Sequence, residues 1–230
     1  MLSSMSERFN KWRMGKQSDI TPEPMQLFPK QQEKKFYGND IIPYSVYQSL
    51  DWAITTIGGS YALQQFTGDT WEANDIDNFL QCRNVDVFKL EVEKFIHRLS
   101  NPSDSFVKPL KVRVVRMNLD PHGTPLTPDK INGKDERFNE SIIATCTLEV
   151  EDIPKPIQFV GINTGNRSLL AHLHDITDIP ACVNYTYDDG RRIFHVGEKC
   201  IQTLFTRQLS GLEICRSRAN KYKERGYDIL

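Results

Sequence analysis

The sequence predicts an α/β domain: a small, mixed, twisted sheet flanked by helices, with a helical C-terminal segment. Three observations predict it. Short strand-like runs recur at 54–57, 74–80, 112–117, 142–150 and 156–162, the first of them β-branched, and such runs suit a pleated, half-buried surface. Between them lie segments whose apolar residues repeat at helical spacing, the clearest at 86–100. A hydrophobic share of 39% over 230 residues is enough for one ordinary domain with extensions.

The elements follow in order. Residues 1–35 are rich in Ser, Gln, Lys and Pro without a clean period, and read as a flexible leader. Arg8, Lys11, Arg13 and Lys16 tint it basic, as in a solvated tail. Residues 36–178 form the core domain. Pro43 opens a helix over 43–53, with Val46, Leu50 and Ala53 on one face. The strand 54–57 ends at Gly58-Gly59-Ser60, Ser60 sits in the N-cap place, and 61–66 continues as a short helix. Gly68-Asp69 turns the chain into the strand 74–80. Asp86 caps a helix to Ser100 whose stripe is Phe88, Val92, Phe95, Ile96 and Leu99. Lys111, Arg113 and Arg116 accompany the strand 112–117. Residues 120–140 read as a long loop. The strands 142–150 and 156–162 form a hairpin. Residues 179–230 extend the same domain: a hairpin over 181–196 with an Asp-Gly turn, then helices over 198–207 and 212–225, the second ending at Gly226.

Composition excludes several classes. A formal net charge of −1 argues against a generally basic nucleic-acid coat, so any anion binding is local. Five cysteines, at 82, 146, 182, 200 and 215, are odd in number, scattered and without a Cys-x-x-Cys pair. That fits buried free thiols in a reducing compartment. No apolar run approaches a membrane span, and the N-terminus lacks a signal-peptide core. The expectation is a cytoplasmic, soluble protein.

The stretch from Ile54 to Phe79 carries chemistry. A strand, a glycine turn and a helix N-terminus make a phosphate cradle, because unpaired backbone N–H groups and the helix dipole face the anion. Two glycines let a ligand approach the backbone closely. On a strand, Asp75 and Asp77 project from one face while Ile76 points into the core. Two adjacent carboxylates repel, and a divalent cation between them relieves the repulsion.

This combination, carried by Gly58, Gly59, Ser60, Asp75 and Asp77, resembles the nucleotidyltransferase superfamily, whose fold is shared by DNA polymerase beta, CCA-adding enzymes and poly(A) polymerases. The wording around it looks most like a subgroup of large DNA viruses and phages. The segment 218–227 resembles that subgroup's Arg-x-x-Lys-Tyr-x-x-Arg-Gly-aromatic ending. The resemblance implies a nucleotidyltransferase-like fold and a Mg²⁺-dependent enzyme, virus-encoded in a host cell, that moves a nucleotide from a nucleoside triphosphate to RNA, protein or a small molecule. Asp75 and Asp77 would hold the metal, Gly58, Gly59 and Ser60 the triphosphate, and Lys221 and Arg225 the outgoing phosphates. The family's third carboxylate falls at Gln158 here, which holds a metal differently. Asp175 is the favoured substitute and Glu149 the other; Asp175 also suits the bracing of a turn. His172 and His174 beside Asp175 form an incomplete metal-like set. The basic face of 212–225 equally suits a solvated helix end. Two further readings stand: a catalytically degenerate binding or assembly protein of the same fold, and a toxin-like member that modifies transfer RNA or a partner protein. The chain after Asp178 is too short for the further domains of a eukaryotic poly(A) polymerase. Acceptor, preferred base and oligomeric state are left open.

Overall fold

A computed structural model describes residues 41–104, 106–119, 140–177, 183–188, 191–209 and 216–230. The leader, the 120–139 loop, Cys182, Cys215 and the Asp189-Gly190 turn lie outside the described residues. In chain order the described elements are α1 (Tyr44–Ser49), β1 (Thr55–Gly58), α2 (Gly59–Thr67), β2 (Ile76–Gln81), α3 (Val85–Ser100), β3 (Val112–Asn118), β4 (Ile142–Val150), β5 (Ile157–Ile162), α4 (Leu169–Ile176), β6 (Val183–Asp188), β7 (Arg191–Val196), α5 (Glu198–Thr206), β8 (Gln208–Leu209), α6 (Arg216–Glu224) and β9 (Asp228–Ile229). The α/β class stands. Seven strands form one mixed sheet in the order β3-β4-β5-β2-β1-β6-β7. The pair β2–β5 is parallel. The other neighbours in that sheet are antiparallel. The C-terminal hairpin joins it through β6, which pairs with β1.

The two faces differ. One face packs on the main core. Phe88, Val92, Phe95 and Leu99, the buried stripe of α3, meet Leu148, Ile157 and Phe159 there, and Phe95 lies edge-on to Phe159 at 4.9 Å. Tyr47 of α1 stacks on Tyr187 at 4.6 Å, and its hydroxyl lies 2.9 Å from that of Tyr185. On the opposite face α4 covers Phe79, Val160 and Ile162 with Leu169 and Leu173. The helices therefore lie on both sides of the sheet. The part of this second face near Gly58 and Asp77, and the part over β4, is where polar side chains gather.

Local chemistry explains where the elements depart from expectation. The helix expected over 43–53 stops at Ser49, because the Asp51 carboxylate accepts the Ala53 N–H and the Asp51 carbonyl accepts the Ile54 N–H, making a turn. Asn84, not Asp86, caps α3, its side chain accepting the Val87 N–H at 2.9 Å. Gly58, not Ser60, is the N-cap of α2, since Gly59 already enters the helix. The strand expected from 74 begins at Ile76, so Asp75 stands just outside it. Gly226 has φ +82 and closes α6 as expected. The described cysteines, Cys82, Cys146 and Cys200, are buried free thiols. Burial pushes Cys82 up to about 12 and Cys146 up to about 11. Among the described residues no helix is long and apolar enough to cross a membrane.

Candidate active site

The site is a row across the sheet. Gly58 ends β1 and pairs with Asp77 of β2. Asp77 pairs with Gln158 of β5, Gln158 with Thr147 of β4, and Thr147 with Arg116 of β3. On the other side, Ile57 pairs with Tyr185, which sets Asn184 beside Gly58, and Asn184 pairs with His195 of β7. Directly paired residues project from the same face. The order from one edge to the other is therefore Arg116, Thr147, Gln158, Asp77, Gly58, Asn184, His195.

The turn and the carboxylate are built for each other. Gly59 has φ +64, a left-handed conformation that side chains rarely adopt. A Cβ at Gly59 would stand 2.2 Å from Asp77 Oδ2. The Asp77 carboxylate thus lies against the first residue of α2. The N-cap of this nine-residue helix, Gly58, has no side chain to cap it, and the N–H groups of a helix's first turn suit an anion. Ser60 is half-buried in that first turn. A Cβ at Gly58 would meet Phe79 Cε2 at 2.5 Å and Asn184 Nδ2 at 3.0 Å. Both glycines are therefore required by close approach, Gly59 by its φ as well.

Asp75 is placed by a clamp rather than by the pleat. Arg207 donates two hydrogen bonds to Asp69, at 2.8 and 2.7 Å. Thr67 and Trp71 also donate to Asp69, at 2.8 and 3.0 Å. The Arg207 guanidinium lies 4.9 Å from the Tyr227 ring, and that of Arg225 lies 4.0 Å from the Trp71 ring. Burial pushes Arg225 below the ordinary arginine value, while Tyr222, Tyr227 and Asp75 pull it up. Residues 207 and 222–227 thus fasten the loop that delivers Asp75, and bring Arg225 within electrostatic reach of it. Burial pushes the Asp69 carboxyl up, but Arg207, Thr67 and Trp71 together outweigh it and hold the group below the ordinary carboxylate value. A depressed native value contributes stability above the unfolded pKa and loses it as pH falls through the native one. Stability is therefore expected to drop below about pH 4, and Asp69→Asn to flatten that drop at a cost of about 1–3 kcal/mol at neutral pH. Urea melts of both proteins between pH 2.5 and 7 check this.

The other expected residues lie apart from this centre. Asp175 is on α4 and pairs with Arg167 at 2.9 Å. Glu149 is paired with Arg113 across β4 and β3. Its neighbour Leu148 and Asp75's neighbour Ile76 both pair with Ile157, so Glu149 and Asp75 belong to strands on opposite sides of β5. His172 and His174 stand two residues apart on α4, and burial lowers the pKa of both. Lys221 is exposed on α6. Among the described residues no three His, Cys, Asp or Glu side chains gather to hold a metal ion. Sequence reasoning missed Asn184, the Arg207–Asp69 clamp and a bulge in β3. That bulge, between Val114 and Arg116, returns Arg116 to the face of Arg113, although the two are three positions apart.

No family model matches this sequence. No curated protein does either. Among solved structures, the chain is similar to a tRNA nucleotidyltransferase complexed with a primer tRNA and an incoming ATP analogue, at 13% identity and a TM-score of 0.35. The likeness covers 68% of this chain and 34% of that protein, so the chain spans about a third of its length.

Proposed function

We propose that the chain is a metal-dependent nucleotidyltransferase that moves a nucleotide from a nucleoside triphosphate to a hydroxyl acceptor. One observation supports this above others: the Asp77 carboxylate faces the Gly58-Gly59-Ser60 turn so closely that a Cβ on Gly59 would stand 2.2 Å from it. An anion-binding turn and a cation-binding carboxylate in contact make chemical sense when a metal–phosphate complex joins them.

The donors fit magnesium on one condition. Asp75, Asp77 and the Gln158 amide offer only oxygen, as Mg²⁺ prefers, but two carboxylates are too few for a cage. Mg²⁺ is commonly held by one or two carboxylates together with substrate phosphates. The ion is therefore expected to arrive with the nucleotide, held by Asp75 and Asp77. When bound it would neutralise charge on the transferred phosphate and acidify the acceptor hydroxyl. The chain's own groups do the rest. The α2 N-terminus and Ser60 hold the outer phosphates. Arg225, stacked on Trp71, offsets charge on the departing pyrophosphate. In-line displacement sets acceptor and leaving group on opposite sides of the phosphorus. With the cradle on the β1 side, the acceptor enters over Gln158 and Thr147 on the β5 side. Arg113 and Arg116 at that edge suit a phosphate-bearing acceptor such as RNA.

The alternative reading, a degenerate binding protein, draws support from Gln158 in the third ligand's place and from the separate ion pairs of Asp175 and Glu149. Calorimetry separates the two. With Mg²⁺ alone, little heat is expected; with nucleoside triphosphate and Mg²⁺ together, saturable binding at least about 10-fold tighter than with triphosphate alone. No binding of any triphosphate by a folded protein would exclude the enzyme.

A further inference from the structure

Asn184 is fully buried, and among the described residues neither its Oδ1 nor its Nδ2 has a hydrogen-bond partner. Such an amide is costly, because its capacity for hydrogen bonds is lost on leaving water and nothing replaces it. Asn78 is also buried with an unmatched oxygen, but it alternates with Asp77 and Phe79 and faces the main core. Asn184 instead lies on the face of the site. Its Nδ2 is 3.0 Å from the position of a Gly58 Cβ, directly beside the N-cap of α2. The absence of a side chain at Gly58 is what lets the amide close on the turn.

Two histidines lie on this side of the sheet. On the cross-strand side of Asn184 is His195, whose ring lies 3.0 Å from Thr186 Oγ1 and whose pKa is lowered by burial. His174 of α4 is close enough to His195 to feel its charge and is likewise lowered by burial. Phe79 completes the setting. An uncharged amide at a helix N-terminus suits an anion that the helix already attracts: its N–H₂ group donates to an oxygen without a fixed counter-charge.

We propose that Asn184 reads the terminal phosphate of the nucleotide and so makes the site select triphosphates over diphosphates. This rests on the nucleotidyltransferase reading above. Each step across the sheet is about 4.8 Å, so Asn184 stands about 10 Å from Asp77 with the cradle between them. If the reacting phosphate lies at Asp77 and the chain of phosphates runs along the α2 N-terminus, its far end meets Asn184, while sugar and base remain on the other side. Removal of the amide then affects the triphosphate and spares the diphosphate.

The test is Asn184→Leu, with Asn184→Ala as a second variant of smaller volume. Thermal melts are read alongside calorimetric affinities for ATP and ADP, each with Mg²⁺. Expected is a melting temperature equal to or above that of the wild type, an ATP affinity lowered about 10-fold or more, and an ADP affinity within about twofold. A variant that melts as high but binds ATP as tightly as the wild type overturns the proposal. So does a pair of variants that both melt lower and lose ATP and ADP alike, which is the mark of a purely structural asparagine. A wild type that binds neither nucleotide overturns this proposal and the nucleotidyltransferase reading together; the other two results leave that reading standing.

Discussion

Replacing Asp75 and Asp77 together by asparagine is expected to lower Mg²⁺-dependent triphosphate affinity by more than about 100-fold, roughly 2.7 kcal/mol, with a stability loss no greater than about 1 kcal/mol. The two parts of this expectation have different causes. Amides keep the shape and accept hydrogen bonds, but they do not carry the charge that draws a divalent ion from water. Ile76 between them is fully buried, and its packing is untouched. Two adjacent carboxylates also repel each other in the free protein, and relief of that repulsion offsets the lost attraction between Asp75 and Arg225. Calorimetry with and without Mg²⁺ measures the affinity, and a thermal melt of the same samples measures stability. Binding that survives the substitutions and ignores Mg²⁺ would shift the site to Arg225 and the α6 end. A melting temperature lower by many degrees would mean that the carboxylates are structural.

Among the described glycines, Gly59→Ala is expected to be the most damaging substitution by a single methyl. The residue must keep φ +64, which costs a side chain about 1–2 kcal/mol. The new Cβ would also stand 2.2 Å from Asp77 Oδ2, and relief of that overlap requires the carboxylate or the turn to move, at about 1–3 kcal/mol. The sum is a loss of about 2–5 kcal/mol, together with loss of nucleotide binding, since both halves of the site shift. Gly68→Ala is the control. It has a similar φ of +69, but nothing lies within 4 Å of the added carbon. It should show the backbone cost alone, about 1–2 kcal/mol, with nucleotide affinity unchanged. Equal effects of the two substitutions on binding would refute the contact between turn and carboxylate.

Much of this fold was legible in the sequence where one force dominated. The strands at 142–150 and 157–162 and the helix up to Ser100 follow from apolar spacing, because burial against the main core sets them. The Gly-Gly-Ser turn and the two aspartates were legible for a different reason, a chemical grammar at short range. What was hidden depends on partners far along the chain. Asn184 sits in Val-Asn-Tyr-Thr-Tyr-Asp, an ordinary alternating strand in which an asparagine carries no signal. Its meaning appears once β6 is seen beside β1. Arg207 and Asp69 are 138 residues apart, and nothing local in either predicts the other. The β3 bulge is likewise a property of pairing, not of the Val-Arg-Val-Val-Arg run itself. The misplaced N-cap of α2 has a local cause: in a glycine pair, the sequence does not say which member takes the left-handed turn.

The position of β1 has a consequence for how the protein is made. The strand that ends in the phosphate cradle is paired on one side by β2 and on the other by β6. The first partner is synthesised soon after it; the second follows more than 100 residues later, since Ile57 meets Tyr185. Through that interval on the ribosome, one flank of a fully buried strand, Thr55 to Gly58, has no sheet to join. Open apolar edges recruit other chains. A fragment ended before residue 183 would hold this state permanently, aggregating through the very strand that, in the finished sheet, presents the turn to its ligand.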